Sequence, residues 1–157
     1  MKIPGVELVI LVGLPAAGKT TFCQQHLAAT HDHVSKDLLR NNRHPQRRQE
    51  QLLRESLALG HSVVVDNTNP SAAVRAPLIA IARQAGVEIV GYFFSTDVAE
   101  ALRRNRAREG RDRVPDVAIF AARKRLAPPA FAEGFDRLYE VTLDEQARAF
   151  SVRECPR

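Results

Sequence analysis

The sequence contains no Trp, a single Met and two Cys among its 157 residues. Cys23 and Cys155 stand near opposite ends, so neither a CxxC redox pair nor a disulfide framework is indicated, and a reduced cytoplasmic setting is expected. No apolar run approaches the roughly 20 residues that a membrane span needs. Met1 to Gly5 lacks the basic start, apolar stretch and small-residue cleavage site of a secretory signal, which argues against export. Internal repeats and low-complexity linkers are also absent, so one domain over 1–157 is expected.

What is present is an ordinary hydrophobic share of 45% and a formal charge of +5. The positive balance favours a polyanionic partner through counterion release and steering, a part that a phosphate-rich small substrate would fill equally well. Nearly all the basic residues are Arg. Its planar fork grips phosphate bidentately, although genome base composition produces the same bias.

Periodicity predicts a buried strand over Val6 to Val12, a glycine-rich loop and a helix from Thr20 to Ala29. A short strand is expected at His33 to Ser35, and a helix from Gln46 to Leu59 with Pro45 in its first turn and Gly60 as its stop. "SVVVDNTNP" reads as a third strand breaking into polar residues. The helix "SAAVRAPLIAIARQAG" follows, with a kink or restart at Pro77 and Gly86 as its end. "VEIVGYFFS" is a fourth strand, "TDVAEALRRNRARE" a helix, "GRDRVP" a loop, and Asp116 opens another helix. Arg137 to Leu143 is the last expected core strand. Alternating strands and helices imply an α/β domain of the P-loop NTPase type, its parallel sheet covered by helices on both faces and its ligands at the carboxyl ends of the strands.

Gly13, Gly18, Lys19 and Thr20 complete GxxxxGKT, with Ala16, Ala17 and Thr21 inside or beside the loop. The chemistry needs this spacing because backbone N–H groups cradle phosphates, Lys19 reaches the β and γ phosphates, and the Thr20 hydroxyl ligates Mg2+. Asp37 and Arg40 form DxxR just after the second strand. A carboxylate there is placed to accept a proton from an attacking hydroxyl, and the competing explanation is helix capping of "LLRNN". Arg40 would orient Asp37 or hold an acceptor phosphate, or else be a solvated helix charge. Three valines leading into Asp66 resemble a Walker B strand, whose carboxylate helps hold Mg2+ through water, and Asn67, Thr68 and Asn69 follow at the same edge.

Arg103, Arg104, Arg106, Arg108, Arg111 and Arg113 crowd one helix end and loop, as an Arg-rich lid over a transferring phosphoryl group would, with Arg104 and Arg108 on one face at i, i+4. Cys23, His26, His31 and His33 match no standard zinc spacing and read as packing and capping residues. Phe93 and Phe94 read as core. Phe131, Phe135 and Tyr139 read as core more readily than as a base-stacking platform.

The segments "GLPAAGKTT", "VSKDLLR", "VVVDNTNPSAAVRA", "RRNRAREGRDRVPD" and "PPAFAEGFD" together resemble, over most of the length, the kinase domain of the polynucleotide kinase family, which phosphorylates 5'-hydroxyl ends of DNA or RNA. The resemblance implies ATP as donor and Mg2+ as cofactor. It makes Asp37 the general base, Arg40 the counterpart of the phage-type arginine that meets base and acceptor phosphate, and Arg108, with Arg104, the lid contacts to ATP. It also implies that Asp66 to Asn69 line the metal and acceptor side. No DxDGT-like segment occurs, so the expectation is 5' phosphorylation alone, with a separate phosphatase or ligase as partner for other steps. Two readings compete with a polynucleotide kinase. One is a small-molecule kinase for a sugar, antibiotic or nucleotide, and the other a nucleotide-dependent switch without acceptor chemistry.

Overall fold

A computed structural model describes residues 2–157, the side chain of Arg111 excepted. Six strands form one sheet: β1 (Glu7–Val12), β2 (His31–Val34), β3 (Ser62–Asp66), β4 (Glu88–Phe94), β5 (Arg137–Asp144) and β6 (Ala149–Glu154), in the order β2-β3-β1-β4-β5-β6. The pairings among β1 to β5 are parallel, and β6 closes antiparallel on β5. The helices are α1 (Lys19–His26), α2 (Pro45–Ala58), α3 (Ala72–Ala85), α4 (Val98–Arg106) and α5 (Asp116–Arg125), with a short 3-10 helix at Lys36–Leu39.

The strand alternation explains why both faces need cover. Leu8, Ile10 and Val12 of β1 join Val63, Val65 and the α2 and α3 residues Leu53, Leu57 and Leu78 in one cluster. Val9 and Leu11 point the other way, into a cluster with Phe22 and Cys23 of α1, Val64, Val90 and Phe94. A strand buried on both faces reads as a continuous apolar run, which is what central parallel strands show. A third cluster of Leu14, Ala101 and Ile119 seats α4 and α5 over the glycine loop. Phe94 and Phe135 are buried, and Phe93 and Phe131 pack against the α2–α3 side of the core. Tyr139 stacks on Tyr92 with ring centroids 5.0 Å apart.

The helix after the glycine loop ends at His26, three residues earlier than expected, because Leu27 and Ala28 both turn their N–H groups to the Cys23 carbonyl. Helix α3 runs through Pro77 without a restart, since Leu78, Ile79, Ile81 and Ala82 bury that face. Tertiary packing thus outweighs one missing backbone bond. The expected last strand is followed by β6, which makes the sheet mixed rather than purely parallel.

Candidate active site

The carboxyl ends of β1, β2 and β3 open on one cavity of about 530 Å3, lined by Pro15, Ala16, Lys19, Thr20, Thr21, Asp37, Arg40, Asp66, Asn67, Thr68, Arg108, Glu109, Asp112 and Val114. Each wall has a local cause. The loop after β1 passes through the left-handed conformation at Ala16 (φ 65°) and at Gly18 (φ 93°), which turns the chain sharply into α1. Lys19, the first residue of α1, reaches back over the loop, its Nζ donating to Gly13 O at 2.9 Å and Leu14 O at 2.6 Å. Burial pushes its ammonium down to about 8, against the pull of Asp66 and Asp37 and with Arg108 adding to the fall. A cation held this tightly among carbonyls is waiting for negative charge.

Not every expected loop residue faces the cavity. Gly13 and Gly18 lie outside its lining, as does Ala17, which is buried. The Gly13 N–H is spent on Thr68 O at 3.1 Å, and a Cβ on Gly13 would stand 2.9 Å from that of Phe94, so this glycine serves close packing. Behind Gly18 stands the Phe150 ring of β6, 3.2 Å from where a Cβ would be.

On the second wall, Ser35 caps the 3-10 helix by accepting from the Asp37 N–H at 3.2 Å. The capping explanation for Asp37 therefore falls to Ser35. The Asp37 side chain is 82% exposed, with Arg40 Nη2 at 3.8 Å from Oδ1. A carboxylate so placed remains available to a proton donor in the cavity.

The third wall begins at Asp66. Its Oδ2 accepts from Thr20 Oγ1 at 2.7 Å and meets His33 Nε2 at 3.0 Å. Burial works against its charge, yet His33, Thr20 and Lys19 together outweigh burial and hold the carboxyl below its usual range. From the sequence alone His33 is expected to be a packing or capping residue. Its reach to Asp66 depends on the register of β2 beside β3, which pairs His33 with Val64. The signal available in the sequence was only that a β2 side chain two residues from β3's carboxyl end would share a face with it.

Asn67 bridges two elements, accepting from the Lys36 N–H at 2.9 Å and donating to Gln49 of α2 at 2.7 Å. Asn69, expected to bind the acceptor, does not line the cavity. It is buried, sits at φ 46°, and donates its amide to Leu11 O at 2.7 Å. Its carbonyl accepts from Arg75 Nη1 at 2.8 Å. Arg75 is wholly buried, donates Nη1 also to Ala127 O at 3.1 Å, and clasps Glu133 through Nε (2.7 Å) and Nη2 (3.0 Å). Sequence reading assigned it no role, although a lone charge inside the apolar stretch "AAVRAPLIAIA" was a visible sign of a buried ion pair.

The arginine lid is realised in part. Arg108 lines the cavity and donates to Asp112 O at 3.2 Å. Arg104 does not line it. Its Nε is held by Glu145 at 2.6 Å and its Nη2 by Glu100 at 3.6 Å, while Nη1 is buried without a partner among the described residues. Helix α4 ends at Arg106, so Arg104 and Arg108 share no helical face. Arg103 also pairs with Glu145 and Arg106 with Asp116. The lid loop is pinned at its base by Asn105, which is fully buried and exchanges two hydrogen bonds with the Val114 backbone, at 2.6 and 3.0 Å.

The remaining histidines and Cys23 have other duties. His26 lies against Phe22 with centroids 4.8 Å apart, and His31 meets Glu7 at 2.8 Å. Burial pushes the Cys23 thiol up to about 11, which leaves it inert. Among the described residues no helix is long and apolar enough to cross a membrane.

Residues 8–129 match the family model described as AAA domain. The chain is 28% identical over 139 residues, 86% of its length, to the bifunctional polynucleotide phosphatase/kinase of Schizosaccharomyces pombe, of which it spans 33%. Among solved structures it resembles a gluconokinase from Sinorhizobium meliloti (TM-score 0.62, 19% identity, 90% of this chain and 84% of that one). It also resembles Kti12 of Chaetomium thermophilum in complex with ADP-AlF3 (TM-score 0.66, 17% identity, 90% and 92%). These likenesses show that the chain shares the fold of these proteins, an α/β domain built on a mostly parallel sheet.

Proposed function

The chain belongs to the AAA domain family, and from that premise we propose that it transfers the γ-phosphate of ATP to the 5'-hydroxyl of a DNA or RNA end. The observation that carries the reading is the freedom of Asp37. Its carboxylate is uncommitted to capping, shares a cavity with Lys19 and with the Thr20–Asp66 pair, and has a guanidinium beside it. A switch that only hydrolysed nucleotide would have no use for a carboxylate and arginine on the acceptor side. The description of the yeast relative as a polynucleotide phosphatase/kinase supports the acceptor class.

In this reading Asp37 takes the proton of the attacking hydroxyl, Arg40 holds the phosphate next to that nucleotide and steadies Asp37, and Lys19 and Arg108 neutralise charge on the transferring group. Asn67 and Thr68 shape the acceptor side. The Thr20 hydroxyl, and the Asp66 carboxylate through water, would hold Mg2+, both being hard oxygen groups of the kind it takes. Mg2+ bound there would draw charge from the β and γ phosphate oxygens.

Incubation with labelled ATP and 5'-hydroxyl oligonucleotides tests the proposal. Label should appear on the oligonucleotide, and Asp37→Asn should retain ATP binding while transfer falls by two orders of magnitude or more, within the usual range for a general base (about 10²–10⁴-fold). A second reading, a small-molecule acceptor, is favoured by the cavity's size, since about 530 Å3 lies within the range of small-ligand pockets. Label on a metabolite and on no oligonucleotide would establish it instead. ATP turnover indifferent to Asp37→Asn would point to a switch.

A further inference from the structure

A second depression lies beside the acceptor mouth, along the first three turns of α2 and its approach. It is lined by Arg43, His44, Pro45, Gln46, Arg47, Glu50 and Arg54. Arg40, at the cavity mouth, is only three residues before Arg43, a separation of at most about 11 Å along the chain. Two tight contacts shape this approach, Asn42 N to Leu39 O at 2.9 Å and His44 N to Asn42 Oδ1 at 2.9 Å.

Arg47, Glu50 and Arg54 recur at i, i+3 and i+7 on α2, so they share one face. Glu50 is the one acid there, and it is occupied by Gln46 Nε2 at 2.7 Å and Arg54 Nη2 at 3.9 Å. Arg43 and Arg47 are exposed and make no ion pair within 4.0 Å among the described residues. Some exposed arginines elsewhere are matched, Arg103 with Glu145, Arg137 with Glu88 and Arg153 with Glu140, while Arg83, Arg123 and Arg125 are exposed and make no ion pair within 4.0 Å among the described residues, so it is the nearness of Arg43 and Arg47 to Arg40 that sets this pair apart. The opposite face of α2 carries buried Gln49, hydrogen-bonded to Asn67 of the cavity wall, which holds the groove in fixed relation to the site.

We infer that this groove binds the sugar-phosphate backbone of the acceptor strand beyond its reacting 5' end, so that the acceptor is an oligonucleotide of several residues rather than a nucleoside or a small metabolite. From Arg47 to Arg54 the helix rises about 10 Å, the length of about three nucleotide steps at about 3.4 Å each in a stacked strand. Arginine forks with no carboxylate to satisfy them are suited to such a repeating anion. The inference rests on the polynucleotide reading and names where that substrate lies.

Two measurements on the intact chain test it. The first is binding of a fluorescently labelled single-stranded ten-nucleotide 5'-hydroxyl acceptor at low salt, without ATP. Arg43→Glu with Arg47→Glu should weaken it at least tenfold and flatten its dependence on salt. Arg83→Glu, a charge reversal at the far end of α3, should change it less than twofold. The second is acceptor KM against length, which should fall as acceptors grow from one to about four nucleotides and then level, with the double variant losing that gain.

Unchanged oligonucleotide binding in the double variant, or poly-glutamate of equal charge binding as tightly and losing as much, would overturn the groove. If no 5'-hydroxyl acceptor of any length were phosphorylated, the kinase reading would fall, and the binding measurement would still decide the groove.

Discussion

Replacing Glu133 with Ala removes the carboxylate that receives both arms of a guanidinium with no exposure to water. Arg75 would keep only two backbone carbonyls, Asn69 O and Ala127 O, to offset a full buried charge. Removing one partner of a buried pair costs about 3–5 kcal/mol, because the survivor is stranded rather than because the pair was strong. At about 2–4 °C per kcal/mol for a chain of this size, Tm should fall by roughly 10 °C. Urea unfolding followed by circular dichroism measures the loss directly. Arg75→Met in the Glu133→Gln background should lose less than Glu133→Ala alone, since no charge is then left buried. Glu133 itself retains 14% side-chain exposure, so Arg75→Met alone should also be the milder lesion. A Glu133→Ala protein within about 1 kcal/mol of the parent would show that water reaches Arg75 and that the ion pair does not anchor the loop after β3.

The lowered Lys19 pKa fixes a sign. Folding disfavours the charged form, so the stability withheld below pH 8 is recovered as pH rises from about 8 toward the ordinary 10.5; at roughly 1.4 kcal/mol per unit this approaches about 3 kcal/mol. The stability difference between the parent and Lys19→Met should therefore shift in the parent's favour over that window, the loss from the raised Cys23 thiol being common to both proteins. Nucleotide phosphates should restore the proton, so calorimetry near pH 9 in buffers of different ionisation enthalpy should record proton uptake on ADP binding, lost in Lys19→Met. Gly91→Ala places a Cβ 2.6 Å from Leu138 Cδ2 and 2.9 Å from Phe135 Cε1. It should destabilise by about 1–3 kcal/mol, and denaturant titration showing no change would refute the tight packing of β4 on β5.

The phosphate loop, Asp37 and Asp66 were legible because each is a local pattern set by a strand end. Apolar runs marked β1, β3 and β4, and the start of α2 within a residue, for the same reason. What escaped was non-local. His33 gains its role from strand register, and Arg75 from a loop 58 residues on. Asn69 looked like an acceptor contact because it follows two residues that do line the cavity, yet its left-handed backbone turns the amide inward to β1. Strand β6 went unread because "AFSVRE" is charged at its end and its pairing depends on a tight turn after Asp144. Arg104 and Arg108 parted company because α4 stops between them, a boundary that a continuous run of helix-forming residues concealed.

The Asn105 clamp on Val114 gives the lid an unusual independence. Everything between those two residues begins and ends at one knot, so its length can change without moving α4 or α5. Closing a loop twice as long costs only about 0.6 kcal/mol more. Residues 107–113, Arg108 among them, are therefore a natural cassette. A longer or differently charged insert could be exchanged there to change what the Arg108 side of the cavity admits, while the sheet, the glycine loop and Asp37 stay in place.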